Sequence, residues 1–188
     1  MLLFIGSISL MSNRKNILIT YASGYGSTAE VAKNIGKYLS EEGLLVSVLS
    51  AADIENLNQY DAIIVGSPIQ YDRWMPEVRS FVIDNQEHLS KVPVAYFFCC
   101  LTLAIRTDGT EKKARQYADK LYDLSPLVKP MSIGRFAGVL DLKKMSFPMR
   151  VVFKIFSMIV GIKEDDYRDW SEIHQWSKDI ATKFGSDI

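Results

Sequence analysis

The stretch Ile17-Leu-Ile-Thr-Tyr-Ala-Ser23-Gly24-Tyr25-Gly26-Ser27-Thr28-Ala-Glu-Val-Ala32 changes its period in the middle. Asn16–Tyr21 is a short apolar, β-branched run, the pattern of a buried strand. From Ser27 to Glu42 the residues Val31, Ile35 and Leu39 recur at helical spacing, and Gly43 supplies a C-terminal stop. The loop between them is rich in glycine and hydroxyl residues. Such a loop opening directly onto a helix suits a phosphate, because first-turn N–H groups lack intrahelical partners and the helix dipole favours an anion. Ser23, Ser27 and Thr28 add hydroxyl donors, while Gly24 and Gly26 let the backbone close around the oxygens.

Three phosphate loops compete for this reading, beside a plain serine cap on a structural helix. A Walker A loop needs a lysine after its last glycine, and Ser27 stands there. A dinucleotide fingerprint needs an acid at the end of the second strand, and that strand ends Val48-Leu49-Ser50-Ala51. What remains is a monophosphate held by hydroxyls and amides without a compensating cation.

Outward from this unit, strand and helix periods keep alternating. Strands are expected at Leu44–Leu49, Asp61–Gly66, Val92–Cys100 and within Val128–Val139, the last bent around Gly134 and Gly138. A short turn is expected near Asp53–Leu57, and helices at Pro76–Leu89, Thr110–Tyr122 and Asp169–Phe184. This pattern predicts an α/β, doubly wound, five-stranded parallel sheet in the order 2-1-3-4-5, with its ligand at the carboxyl ends of the strands. Residues 1–15 read as an N-terminal extension and residues 16–188 as one domain. The segment of about 140–166 is an apolar helical insertion before the last helix. Residues 1–11 are apolar but too short to span a bilayer and lack a basic start.

Composition narrows the partners. The 188 residues carry 22 basic and 22 acidic side chains, so no nucleic-acid partner is expected from overall charge. The adjacent Cys99 and Cys100 have no C-x-x-C or Cys/His spacing; buried free thiols and no metal site are expected, in a reducing cytoplasm. His88 and His174 fall on helices away from the loops, and neither a catalytic triad nor a carboxylate pair emerges, so the catalytic residues are unknown at this level.

Tyr21-x-Ser23-x-x-Gly26-x-Thr28-x-x-x-Ala32-x-x-Ile35 resembles the flavodoxin signature, departing from it at Thr20, where an apolar residue is usual. The resemblance implies FMN, with Ser23, Gly24, Tyr25, Gly26, Ser27 and Thr28 around its phosphate. The loop after the third strand, with Ser67, Pro68, Ile69, Gln70 and Tyr71, would then flank the flavin ring, Tyr71 and Trp74 offering flat faces to it. Leu101 and Thr102, after the fourth strand, would meet its polar edge. Arg73 is read as either an aid to an anionic substrate or a solvated surface residue.

The stretch from Lys143 to Lys163 is strongly apolar, with Arg150 and Lys154 four residues apart. It reads either as a basic amphipathic helix at a membrane interface, or as cover for the sheet edge or a dimer contact. Together with Gly66-x-x-Ile69-x-Tyr71 and Asp169-Trp170, it makes the chain similar to the menaquinone-dependent protoporphyrinogen IX dehydrogenase family over roughly residues 16–184. That resemblance implies an FMN oxidoreductase of porphyrin and heme biosynthesis, with a porphyrinogen donor, a membrane quinone acceptor and peripheral attachment to the cytoplasmic membrane face. An electron-transfer flavodoxin and an NAD(P)H:quinone reductase are the alternatives.

Overall fold

The structure is a computed structural model that describes residues 14–186. Most of the expected N-terminal extension lies outside the described residues. By Lys15 the chain already runs beside the sheet, the Lys15 carbonyl accepting the Leu45 amide at 3.0 Å.

The long strands are β1 (Asn16–Tyr21), β2 (Leu45–Ser50), β3 (Ala62–Gln70), β5 (Val94–Cys100) and β6 (Ser132–Ala137). They are all parallel and lie in the order β2-β1-β3-β5-β6, which is the expected 2-1-3-4-5 winding of the five long strands. Its ligand edge is therefore the carboxyl end, where β1 meets β3 with Tyr21 opposite Gly66. Gly66 is glycine for a packing reason: a Cβ there would stand 2.1 Å from the Phe97 ring.

Helices α1 (Ser27–Glu41) and α6 (Trp170–Ser186) cover one face of the sheet. There Val31, Ile35 and Leu39 pack with Ile17, Ile19, Phe97, Ile173 and Phe184. The other face is covered by α2 (Pro76–Asp84) and α4 (Asp108–Leu124), which bring Val78, Phe81 and Leu121 onto Leu18, Ile63 and Phe98. The central strands β1, β3 and β5 are apolar on both faces because helices cover them on both sides, whereas edge strand β2 leaves Leu45 and Leu49 exposed.

Two elements differ from the sequence expectation. The single helix expected over 76–89 is interrupted at Asn85, and a separate turn, α3 (Gln86–Leu89), follows. The Asn85 side chain and its own amide both donate to the Phe81 carbonyl, at 2.8 and 3.1 Å, so local bonding competes with continuation. The third strand also runs four residues past Gly66 and turns back through Tyr71 and Asp72 (φ 51° and 62°) into β4 (Arg73–Trp74). Two left-handed residues in a two-residue turn match the twist of the hairpin they join.

The insertion has a stem and a core of its own. Strands β7 (Val139–Leu140) and β8 (Asp165–Asp166) pair antiparallel at its base. Helix α5 (Phe147–Val160) lies between them, with Pro148 in its first turn and Gly161 (φ 75°) closing it. Leu140, Met145 and Ile162 form a small buried cluster separate from the two sheet faces.

Candidate cofactor site

The loop from Ser23 to Thr28 closes on itself. Ser23 Oγ accepts the Gly26 amide at 3.0 Å and the Ala29 amide at 3.4 Å, which leaves its own O–H free to donate outward. Gly26 takes φ 91°, a left-handed value suited to glycine, and α1 begins there with no side-chain cap. The first-turn amides of Ser27 and Thr28 thus face the loop without intrahelical partners. The Thr28 hydroxyl is buried beside the Cys99 thiol and has no nitrogen or oxygen partner. An orphaned buried donor, an uncapped helix start and a loop of small residues fit the phosphate group of FMN.

A cavity of about 580 Å³ opens next to this loop. Tyr25, Ile69, Gln70, Tyr71, Leu101 and Thr102, all singled out in the sequence, lie on its wall. The Gln70 side chain rests against Gly24, where a Cβ would meet its Nε2 at 2.4 Å, so the end of β3 touches the phosphate loop directly. Tyr25 borders both the cavity and a smaller cleft beside Ser27. A mononucleotide with its phosphate in the loop would therefore have its ring end in the cavity.

Ser67 and Pro68 sit elsewhere, inside β3 and not on the cavity wall. Ser67 is fully buried; its hydroxyl donates to the Pro68 carbonyl at 2.8 Å and accepts the Met75 amide at 3.0 Å, a brace for the hairpin. Trp74 offers no face to a heterocycle. It is buried edge-on against Phe98 and Tyr96, and its indole N–H donates to the Tyr117 carbonyl at 2.8 Å, because the β3–β4 hairpin folds it back into the core. Arg73 is exposed and does not line the cavity.

Several wall residues come from segments that sequence reasoning did not connect to the site. Met149, Val152 and Phe153 of α5 line the cavity opposite β3, so the insertion supplies one of its walls. At its polar corner Tyr117 donates to Asp72 at 2.6 Å, with the Thr102 hydroxyl 3.3 Å from the Tyr117 oxygen. Lys113 bonds the other Asp72 oxygen at 2.8 Å, and together with Tyr117 it holds the Asp72 carboxyl below the usual carboxylate range. Burial, with the Asp72 bond behind it, pushes Tyr117 up to about 12, so this phenol is a proton-bearing group at neutral pH. Cys100, on the same wall, is pushed up to about 11 by burial. A hydrogen bond between residues 45 positions apart leaves no local signature, and the non-glycine turn that presents Asp72 gives none either.

The comparisons with known proteins agree with this architecture. A family model described as a flavodoxin domain matches residues 18–167. A protoporphyrinogen IX dehydrogenase [quinone] of Leishmania major is 25% identical over 180 residues, covering 92% of this chain and 77% of that one. The protein of the same name from Escherichia coli K12 is 23% identical over 171 residues, covering 87% and 93%. Among solved structures, oxidised Flavodoxin 2 from Bacillus cereus superposes with a TM-score of 0.55 at 19% identity, covering 92% and 99%. The match through the phosphate loop, all five long strands and the insertion makes this chain a member of the flavodoxin-domain family.

Proposed function

We propose that the protein is an FMN-dependent oxidoreductase that oxidises protoporphyrinogen IX and passes the electrons to a membrane quinone. The observation that carries this reading is the cavity: a largely apolar space of about 580 Å³ joined to the phosphate loop and walled by α5. Its volume lies within the roughly 300–1,000 Å³ that holds small ligands, and its walls suit flat, apolar rings. The names carried by the two dehydrogenases support the same choice of substrate.

Bound FMN would supply the electron-accepting chemistry. The hydroxyls of Ser23, Ser27 and Thr28, with the first-turn amides of Ser27 and Thr28, would hold the phosphate, the Gly26 amide being taken by Ser23 Oγ. Leu101 and Thr102 would meet the polar edge of the ring, and Tyr71, which is 80% exposed, stands at the cavity wall where it would cover the mouth. Met149, Val152 and Phe153 exclude water from the opposite side. Tyr117 keeps its proton and orients the Thr102 hydroxyl and the Asp72 carboxylate at the cavity corner.

The outer face of α5 suits peripheral contact with the cytoplasmic membrane surface, where the quinone resides. Phe147, Met158 and Ile159 are 77%, 77% and 79% exposed, and Lys154 stands among them. Arg150 keeps its charge, and its guanidinium is held on the carbonyls of Leu142, Lys143 and Met145. No helix among the described residues is long and apolar enough to cross a membrane.

The test is anaerobic mixing of the FMN-loaded protein with protoporphyrinogen, followed by a menaquinone analogue. Bleaching of the flavin and its recovery on quinone addition are expected. Bleaching by NAD(P)H alone would instead assign an NAD(P)H:quinone reductase, and reduction by neither donor would leave an electron carrier.

A further inference from the structure

The loop segment itself holds no cation, yet one reaches Ser27 from 141 residues away. Arg168 follows β8 directly, and its side chain is only 7% exposed. Nη1 donates to the Ser27 carbonyl at 3.2 Å and to the Glu30 carboxylate at 2.8 Å, both in the first turn of α1. The rest of the guanidinium is anchored on its own segment. Nε and Nη2 form a fork on Asp166 at 2.8 and 2.6 Å, and the Trp170 ring lies 4.5 Å from its centre.

This arrangement bears on phosphate binding in two ways. The Ser27 carbonyl lies in the peptide plane that carries the Thr28 amide, so fixing it fixes where that first-turn donor points. Glu30 is an acid within one turn of the position a phosphate dianion would take; it is half exposed, so solvent weakens its repulsion of that dianion, and Arg168 offsets what remains. The small cleft beside Ser27, lined by Tyr25, Glu30, Lys144 and Arg168, shows how closely these charges surround the loop.

We propose that Arg168 is the positioning residue of the phosphate site: it clamps Ser27, neutralises Glu30, and thereby sets the loop's affinity for a phosphate monoester. The clamp also ties cofactor binding to the base of the insertion, because Asp166 and Arg168 leave the β7–β8 stem together. The proposal rests on the FMN reading above.

The experiment compares FMN with riboflavin, which has the same ring and no phosphate, by quenching of flavin fluorescence in apoprotein titrations. In Arg168→Gln the FMN affinity is expected to fall about 10- to 100-fold, the scale of losing charged hydrogen bonds, with riboflavin affinity within about twofold. Adding Glu30→Gln should recover part of the FMN loss and leave riboflavin unchanged. If Arg168→Gln does not fold, Arg168→Lys gives the same reading: it keeps the charge but not the fork, and the FMN-to-riboflavin ratio should fall by a smaller factor. Equal loss of both ligands, or an unchanged ratio, overturns the proposal while the FMN reading stands. Wild-type protein that quenches neither ligand overturns the FMN reading and the proposal with it.

Discussion

Residues 16–35 and residues 139–166 form two sides of one cavity, and they are built in opposite ways. The first segment is self-sufficient: strand, loop and helix follow one another, and Ser23 closes the loop through amides three and six residues away. The second segment works through distance. Its stem pairs Val139 with Asp166, and its helix lines a cavity whose other walls come from β3, the loop after β5 and α4. The contrast separates two functions. In the proposed reading the phosphate loop closes locally, with Arg168 bracing it from outside, whereas the space for the ring and the substrate is assembled.

The largest effect should therefore come from removing the assembled side alone. Replacing residues 143–163 with a short Gly/Ser linker deletes α5 and one wall of the cavity. The Leu140–Met145–Ile162 cluster is separate from both sheet faces, so the sheet should keep its stability. Protoporphyrinogen oxidation is expected to fall on the order of 100-fold or more, as a substrate loses its positioning surface. The ratio of FMN to riboflavin affinity, which reports the phosphate loop alone, should stay within about threefold. A fall in that ratio as well would show that the insertion is part of the phosphate site and would erase the distinction.

The local side can be broken with one atom. Thr28→Val keeps the shape of a buried side chain and removes its unpartnered hydroxyl. FMN affinity should fall roughly tenfold or more, because a hydrogen bond to a charged phosphate is lost. The apoprotein should be equally stable or gain about 1 kcal/mol, since an unsatisfied buried polar group has gone. Urea unfolding of the apoprotein beside an FMN titration reads both signs. A stability loss would mean that the hydroxyl has a structural partner after all.

The polar corner between the two segments sharpens the comparison by pH. Tyr117→Phe removes the bonds to Asp72 and Thr102, and should cost about 1 kcal/mol, read by thermal or urea unfolding near neutral pH. Asp72 has its carboxyl lowered in the folded protein, chiefly by Lys113 and then by Tyr117. Its contribution is thus complete above the unfolded carboxylate value of about 4 and is lost as pH falls through the lower folded value. An Asp72→Asn variant should accordingly differ most from wild type above pH 4 and converge with it in acid; a constant difference would remove the ionic interpretation.

How much was legible follows from the same contrast. The winding of the sheet was readable because the three central strands are nearly continuous apolar runs and the crossover helices between strands have their own period. The junction around Gly24, Gly26 and Thr28 was readable as strand, loop and helix because an apolar run, two glycines and a helical period follow one another. Trp74 was not: an aromatic beside a glycine-proline turn looks available, and only the left-handed pair Tyr71-Asp72 folds it back onto Phe98. Arg168 was not either, since the neighbouring Asp166 makes it look like a self-contained local ion pair. Its reach to Ser27 depends on the packing of α6 against α1, which no local pattern encodes.

The smallest effect on the fold should come from the outer face of α5, and that smallness is what makes it informative. Met158 and Ile159 are 77% and 79% exposed, so Met158→Gln with Ile159→Gln takes little away from the core. Folding stability should change by less than about 0.5 kcal/mol per site, and FMN affinity should not change. If these side chains dip into an anionic membrane surface, their partial burial there is worth about 1–2 kcal/mol in total, or roughly a tenfold loss of binding when they become glutamine. Cosedimentation with vesicles containing anionic lipid, with neutral vesicles and high salt as controls, reads that loss. Equal sedimentation of wild type and variant would assign this face to something other than lipid. The cavity-facing Met149, Val152 and Phe153 would then be the functional side of the helix.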